Sequence, residues 1–165
     1  MKAEFEMSMI GEMKYFLGLQ IIQSKDGIFI SQAKYLNDLL KRFGMEDCKP
    51  FGTPMVIGLK LSNQDELAEV EHKKYRSMIG GLQYLTHTRL DIAHLVGIVT
   101  RFQAAPKEFH FAAAKRILKY LKGTVNYGLW YDNSNDFTLC AYTDADWGGS
   151  VDDKKSTSGG AFFLG

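Results

Sequence analysis

The sequence predicts an α+β fold in three consecutive parts: a β-hairpin, a cluster of helices, and a short final run of strands. Three observations carry that prediction. Residues 15–30 are apolar and β-prone around one polar turn. Between 31 and 123, apolar residues recur at helical spacing, with Gly or Pro near the boundaries. From Tyr127 onward the pattern returns to short aromatic-rich strands separated by turn residues.

Tyr15-Phe16-Leu17-Gly18-Leu19-Gln20-Ile21-Ile22-Gln23 reads as one strand, Ser24-Lys25-Asp26-Gly27 as the turn with Gly27 at positive φ, and Ile28-Phe29-Ile30 as the return strand. Ser31 is the candidate cap of a helix whose Leu36, Leu39, Leu40 and Phe43 share one face, with Gly44 at the stop position. Residues 49–71 begin with two prolines, show no period and turn acidic after Gln64, which predicts an extended linker. Tyr75, Met78, Ile79, Leu82 and Leu85 form a second stripe that runs through Gly80-Gly81. A mid-helix Gly costs about 1 kcal/mol against Ala, so the pair predicts close backbone approach. Asp91 is a plausible cap for 92–102, a segment apolar on nearly every face and so expected to be buried. Pro106 opens a further helix with Phe109, Ala113, Ile117 and Tyr120 on one stripe, and Gly123 closes it. Then come Tyr127-Gly128-Leu129-Trp130-Tyr131, a polar turn at 132–136, and a second strand from Phe137 to Thr143.

Composition narrows the function classes. Twenty Lys+Arg against nineteen Asp+Glu leave a net charge of +1, which excludes a strongly basic nucleic-acid tail but is silent on local patches. No apolar run approaches the roughly 18 residues that span a bilayer, and Met1-Lys2-Ala3-Glu4-Phe5-Glu6 is too acidic for a leader; the expectation is an intracellular, cytoplasmic protein. Cys48 and Cys140 are far apart and read as free thiols, and His72, His87, His94 and His110 match no metal spacing.

Two groups of side chains carry candidate chemistry. Lys115, Lys119 and Lys122 recur at i, i+4, i+7 with Arg116 beside them, either as a solvated helix face or as a stripe that meets phosphates. Asp144 and Asp146 lie two apart at a strand end, so both carboxylates can face one cation; hard oxygen ligands there suit magnesium and metal-assisted phosphoryl chemistry, while a turn start is the plainer reading.

Several segments, in order, resemble the reverse transcriptase and ribonuclease H region of copia-type retrotransposon Pol polyproteins. They are Phe16-Leu17-Gly18-Leu19-Gln20-Ile21, Tyr75-Arg76-Ser77-Met78-Ile79-Gly80, Tyr84-Leu85-Thr86-His87-Thr88-Arg89-Leu90-Asp91-Ile92, Ala114-Lys115-Arg116-Ile117-Leu118-Lys119-Tyr120-Leu121-Lys122-Gly123-Thr124, Asp144-Ala145-Asp146-Trp147 and Lys155-Ser156-Thr157-Ser158-Gly159. The resemblance implies that 1–55 is the end of a polymerase palm with a hairpin that supports the primer, 56–126 a helical thumb and connection region, and 127–165 the truncated first strands of a ribonuclease H-like domain. It implies nucleic-acid contact by Phe16, Leu17 and Gly18 and by Lys115, Arg116, Lys119 and Lys122, through backbone and shape. It makes Asp144 the first ribonuclease H carboxylate and a magnesium ligand, with Asp146 as a possible second. The implied partners are a template–primer duplex, RNA–DNA or DNA, and the remainder of Pol, with no membrane.

Departures from the family's pattern bound the reading. A Tyr-x-Asp-Asp turn is absent, and the one Asp-Asp pair, in Val151-Asp152-Asp153, leads into Lys154-Lys155-Ser156 and not into an apolar strand. Leu90 stands where the family usually has proline in Thr-Arg-Pro-Asp. The later ribonuclease H carboxylates would fall beyond Gly165, and the strand around Phe162-Phe163 is expected to lack a partner. The sequence therefore predicts a catalytically incomplete piece of Pol, with magnesium a cofactor of the intact parent and none held tightly here. The alternatives are a non-catalytic nucleic-acid-binding module and a stand-alone metal-dependent hydrolase built on Asp144 and Asp146.

Overall fold

A computed structural model describes residues 11–62, 68–133, 138–156 and 158–164. Its elements are strands β1 (Tyr15–Phe16), β2 (Leu19–Gln23) and β3 (Gly27–Ser31), helices α1 (Ala33–Arg42), α2 (His72–Leu85), α3 (Ala93–Thr100) and α4 (Glu108–Gly123), and strands β4 (Gly128–Asp132), β5 (Leu139–Ala145) and β6 (Ser158–Leu164). Among the described residues the fold is thus mixed, with four α-helices and small antiparallel sheets. No helix among the described residues is long and apolar enough to cross a membrane.

The first sheet has the order β1-β2-β3-β4. Its β2–β3 turn is organised by Ser24, whose N–H and hydroxyl both donate to the Gly27 carbonyl (2.9 and 3.1 Å) while the Asp26 and Gly27 N–H groups donate to its Oγ. Gly27 sits at φ +157°, and a Cβ there would lie 2.2 Å from the Tyr131 carbonyl oxygen, so a side chain is excluded. The strand expected over 15–23 is broken: Leu17 (φ +48°) and Gly18 (φ +81°) make a tight left-handed turn between β1 and β2.

Sequence reasoning paired the strand after Tyr127 with the next one along the chain. The structure instead pairs β4 with β3, Ile28 opposite Tyr131 and Ile30 opposite Leu129, and β5 with β6 from Leu139–Leu164 to Ala145–Ser158. The strand around Phe162-Phe163 therefore has a hydrogen-bonded neighbour, although both rings remain more than half exposed.

The helices hold the core. Tyr75, Met78, Ile79, Leu82 and Leu85 of α2 meet Ile117, Leu118 and Leu121 of α4, all essentially inaccessible, and α1 adds Leu36, Leu39 and Leu40. Burying each such side chain contributes about 1.5–3 kcal/mol. The buried Tyr75 hydroxyl is satisfied by the Val99 carbonyl at 2.7 Å. Of the glycine pair in α2, Gly81 is the close approach: a Cβ there would lie 2.5 Å from Leu39 Cδ1, whereas Gly80 faces open space.

Three expectations are corrected. Ser31 does not cap α1; it is the last residue of β3, paired with both Gln20 and Gly128, and Gln32 stands at the cap. Asp91 does not cap α3; it lies in a 3-10 turn, Leu90–Ile92, that precedes the helix, and Arg89 captures its carboxylate. The segment 92–102 is not buried all round, because Ile92, Val96, Val99 and Phe102 face the core while His94 and Gly97 face out. The expected linker straps across the helices, with Leu61 buried and Met55 packed on the core. Among the described residues, no apolar side chain of β1–β4 joins that core. Polar contacts from Tyr84 and Thr88 to the Leu17 turn and to Gln32 join the first sheet to the helical layer.

Candidate nucleic-acid interface

The β1–β2 turn is one of those polar contacts. The Tyr84 hydroxyl, from α2, donates to the Leu17 carbonyl oxygen. Around that anchor Tyr15, Phe16 and Leu17 project into solvent, Leu17 with 77% of its surface exposed. The Tyr84 ring is held edge-on by Tyr35 of α1 at 4.6 Å between centroids, and its carbonyl accepts from Gln32 Nε2 at 3.0 Å. Gln32 Oε1 accepts in turn from the buried Thr88 hydroxyl at 2.7 Å.

The basic stripe of α4 is not a bare solvated face. Lys122 Nζ donates to the carbonyls of Glu46 and Cys48, the latter at 2.7 Å. Arg116 donates to the Thr53 hydroxyl at 2.9 Å and lies 4.5 Å from the Phe51 ring centroid, and the Phe51 N–H reaches the Lys119 carbonyl at 3.3 Å. These two cations clamp the loop 46–53 across α4. Lys119 sits 5.0 Å over Phe51, and Lys115 4.4 Å over Phe111, a ring that Lys74 of α2 also approaches at 5.5 Å. Lys74, Lys115 and Lys119 are cations without a hydrogen bond or ion pair among the described residues, so their ammonium groups can meet an outside anion.

Asp144 lies on the exposed strand β5, opposite Gly159, and its Oδ1 accepts from the Ala145 N–H at 2.8 Å. Asp146 is beyond the strand end and its carboxylate folds toward its own turn: a Cβ on Gly149 would lie 1.9 Å from Oδ2. Among the described residues no three His, Cys, Asp or Glu side chains gather as a metal site. Asp153 pairs with Lys155 at 2.9 Å, and hydrogen bonds from Ser150 and Lys155 keep its carboxyl well below the usual carboxylate range.

Sequence reasoning missed the centre that fixes these surfaces. Arg89 is buried, and its Nε and Nη2 grip both oxygens of Asp91 at 3.0 and 2.8 Å. Nη1 reaches the Thr124 carbonyl at 2.9 Å and Nη2 the Thr124 hydroxyl at 2.6 Å, while the Tyr120 and Tyr127 rings flank the guanidinium. The Tyr120 hydroxyl donates to Asp91 at 2.7 Å. Burial opposes the Asp91 charge, but hydrogen bonds from Arg89 and Tyr120 and the Arg89 charge outweigh it and hold the carboxyl below its ordinary range. Burial and then the bond to Asp91 push the Tyr120 phenol up. His110 is fully buried, stacked on Phe102 at 3.9 Å, accepting from the Lys107 N–H and donating to the Ser62 carbonyl. The signal available for Arg89 was its place between Thr88 and Asp91, at the junction of two helical patterns.

Residues 1–57 match the family described as reverse transcriptase (RNA-dependent DNA polymerase). The chain is 42% identical over 154 residues to the retrovirus-related Pol polyprotein from transposon RE1 of Arabidopsis thaliana, covering 93% of this chain and 10% of that protein. It is 40% identical over 167 residues to the Pol polyprotein from transposon TNT 1-94 of Nicotiana tabacum, covering 96% of this chain and 12% of the relative. An uncharacterized mitochondrial protein of Arabidopsis thaliana, AtMg00810, is 39% identical over 166 residues, covering the whole of this chain and 68% of its own length. The chain thus spans about a tenth of the Pol polyproteins it matches and about two thirds of the mitochondrial protein. No solved structure matches it.

Proposed function

The chain belongs to the reverse transcriptase region of copia-type retrotransposon Pol polyproteins, and from that premise we propose that its residues grip the template–primer duplex within Pol in the cytoplasm. One observation carries the reading. Leu17 is a bulky apolar residue in the left-handed region, where a Cβ costs about 1–2 kcal/mol, and it is 77% exposed, so no packing offsets the strain. A residue held at such a cost serves something outside the fold. The Phe16-Leu17-Gly18 turn is the primer-supporting element, and the helices α2 to α4 are the thumb and connection that lie along the duplex.

On α4 the phosphate contacts are Lys115 and Lys119, with Arg116 and Lys122 shaping the surface by holding the loop 46–53. Such contacts track the backbone and the shape of the duplex, not its bases. Asp144 is the first carboxylate of a ribonuclease H-like centre, which in the assembled polyprotein uses magnesium; the other ligands come from elsewhere in Pol. The contribution of this chain is grip, not chemistry.

The test is fluorescence anisotropy with an RNA–DNA duplex bearing a recessed primer end, measured across a salt series. Binding should weaken with salt, and Lys115→Gln and Lys119→Gln should each reduce the slope of log K on log salt by about 0.7–0.9. Leu17→Gly should weaken binding without lowering stability, because relief of left-handed strain offsets the extra backbone entropy of glycine, about 0.5–1 kcal/mol. Binding that is absent or indifferent to salt overturns the proposal.

A further inference from the structure

Among the described residues the first sheet adds no apolar side chain to the buried helical core, so a contact outside that core holds the attitude of the turn that tips the sheet. We infer that Tyr84 is a positioning residue: its hydroxyl latches the Leu17-Gly18 turn to α2, so that the turn and the basic face of α4 act as one rigid surface toward nucleic acid. The inference rests on the proposed duplex grip for its partner, while the latch itself stands on geometry.

Four observations converge. The Tyr84 hydroxyl donates to the Leu17 carbonyl at the apex of the turn, where the left-handed backbone leaves that oxygen outside the β1–β2 ladder. Gly18 makes room for it, since a Cβ at that residue would lie 2.6 Å from the Tyr84 hydroxyl and its φ of +81° already disfavours a side chain. Tyr35 braces the Tyr84 ring edge-on, at 72° between planes, which limits the positions the hydroxyl can take. At its other end, the Tyr84 carbonyl receives Gln32, the residue that joins β3 to α1, so one residue ties down both the tip and the root of the sheet. A phenol donating to a strained turn is a contact that can open without disturbing the core.

Tyr84→Phe in the full chain removes the hydroxyl and keeps the ring. Amide hydrogen exchange should speed by about 5-fold at residues 15–19, the value of one net hydrogen bond, while α2 and α4 keep their protection. Affinity for the recessed RNA–DNA duplex should fall by a similar factor. Gly18→Ala, which pushes the turn off the hydroxyl from the other side, should give the same pattern. Unchanged exchange at 15–19 overturns the latch, and a rise spread equally over α2 and α4 overturns it too, since that marks general destabilisation. Local loosening with undiminished duplex affinity keeps the latch but overturns its coupling to binding, and with it the role of the turn in the grip.

Discussion

Replacing Arg89 by alanine should be among the most damaging single changes in this chain, and its size can be worked from the contacts. The guanidinium is 4% exposed and makes two hydrogen bonds to Asp91 and two to Thr124. Asp91 is 37% exposed, so water can replace part of what it loses, and the ion pair is discounted to about 1–2 kcal/mol. The Thr124 carbonyl, left without its donor, adds about 1 kcal/mol, and the vacated space between the Tyr120 and Tyr127 rings about another. The total, about 3–4 kcal/mol, is a large fraction of the 5–15 kcal/mol typical of a domain. Urea unfolding of the wild type, Arg89→Ala, Asp91→Asn and the double variant gives the total and, from the cycle, the Arg89–Asp91 coupling. The Asp91 carboxyl titrates below its ordinary value in the folded chain, so its contribution is present at pH above about 4 and is lost as pH falls through the folded value. The wild-type advantage over Asp91→Asn should therefore shrink below about pH 4. A loss under about 1 kcal/mol for Arg89→Ala, or zero coupling at neutral pH, refutes the reasoning.

Two further outcomes follow from the backbone. Gly80→Ala should stabilise by about 1 kcal/mol because its Cβ meets open space on a helix, whereas Gly81→Ala should destabilise by about 1–3 kcal/mol because its Cβ meets Leu39; opposite signs at adjacent positions in thermal melts check both. Leu90→Pro should stabilise by about 0.4–1 kcal/mol, since Leu90 is exposed at the first position of a 3-10 turn and the preceding Arg89 already has an extended φ of −126°; a lower melting temperature would count against it.

What the sequence disclosed was what is local. The turn at Ser24–Gly27, the α1 stripe and the passage of α2 through two glycines all follow from spacing within a few residues. The second turn escaped because Leu17-Gly18 lies inside an apolar, strand-like run with none of the polar residues that mark turns. Asp91 was misread because a carboxylate before a helix looks like a cap, and its capture by Arg89 depends on Thr124 and Tyr120 arriving from α4. The partner of β4 is non-local, and alternation within a strand carries no record of which strand it will meet. For the candidate interface, spacing found the basic residues of α4 but not the loop 46–53 that occupies two of them.

The pairing of β4 with β3 sets an order of assembly. Ile28 and Tyr131 are about a hundred residues apart, whereas α2, α3 and α4 pack on one another across a few tens of residues. Closing so long a loop before those helices pack is entropically slow, so the helical core should form first and deliver Gly128 to Asp132 to a waiting edge. During synthesis, β3 therefore emerges from the ribosome with one side unpaired until β4 has been made. That interval is when the nascent chain is most open to pairing with a neighbour's strand, and speed of α4 folding is what shortens it.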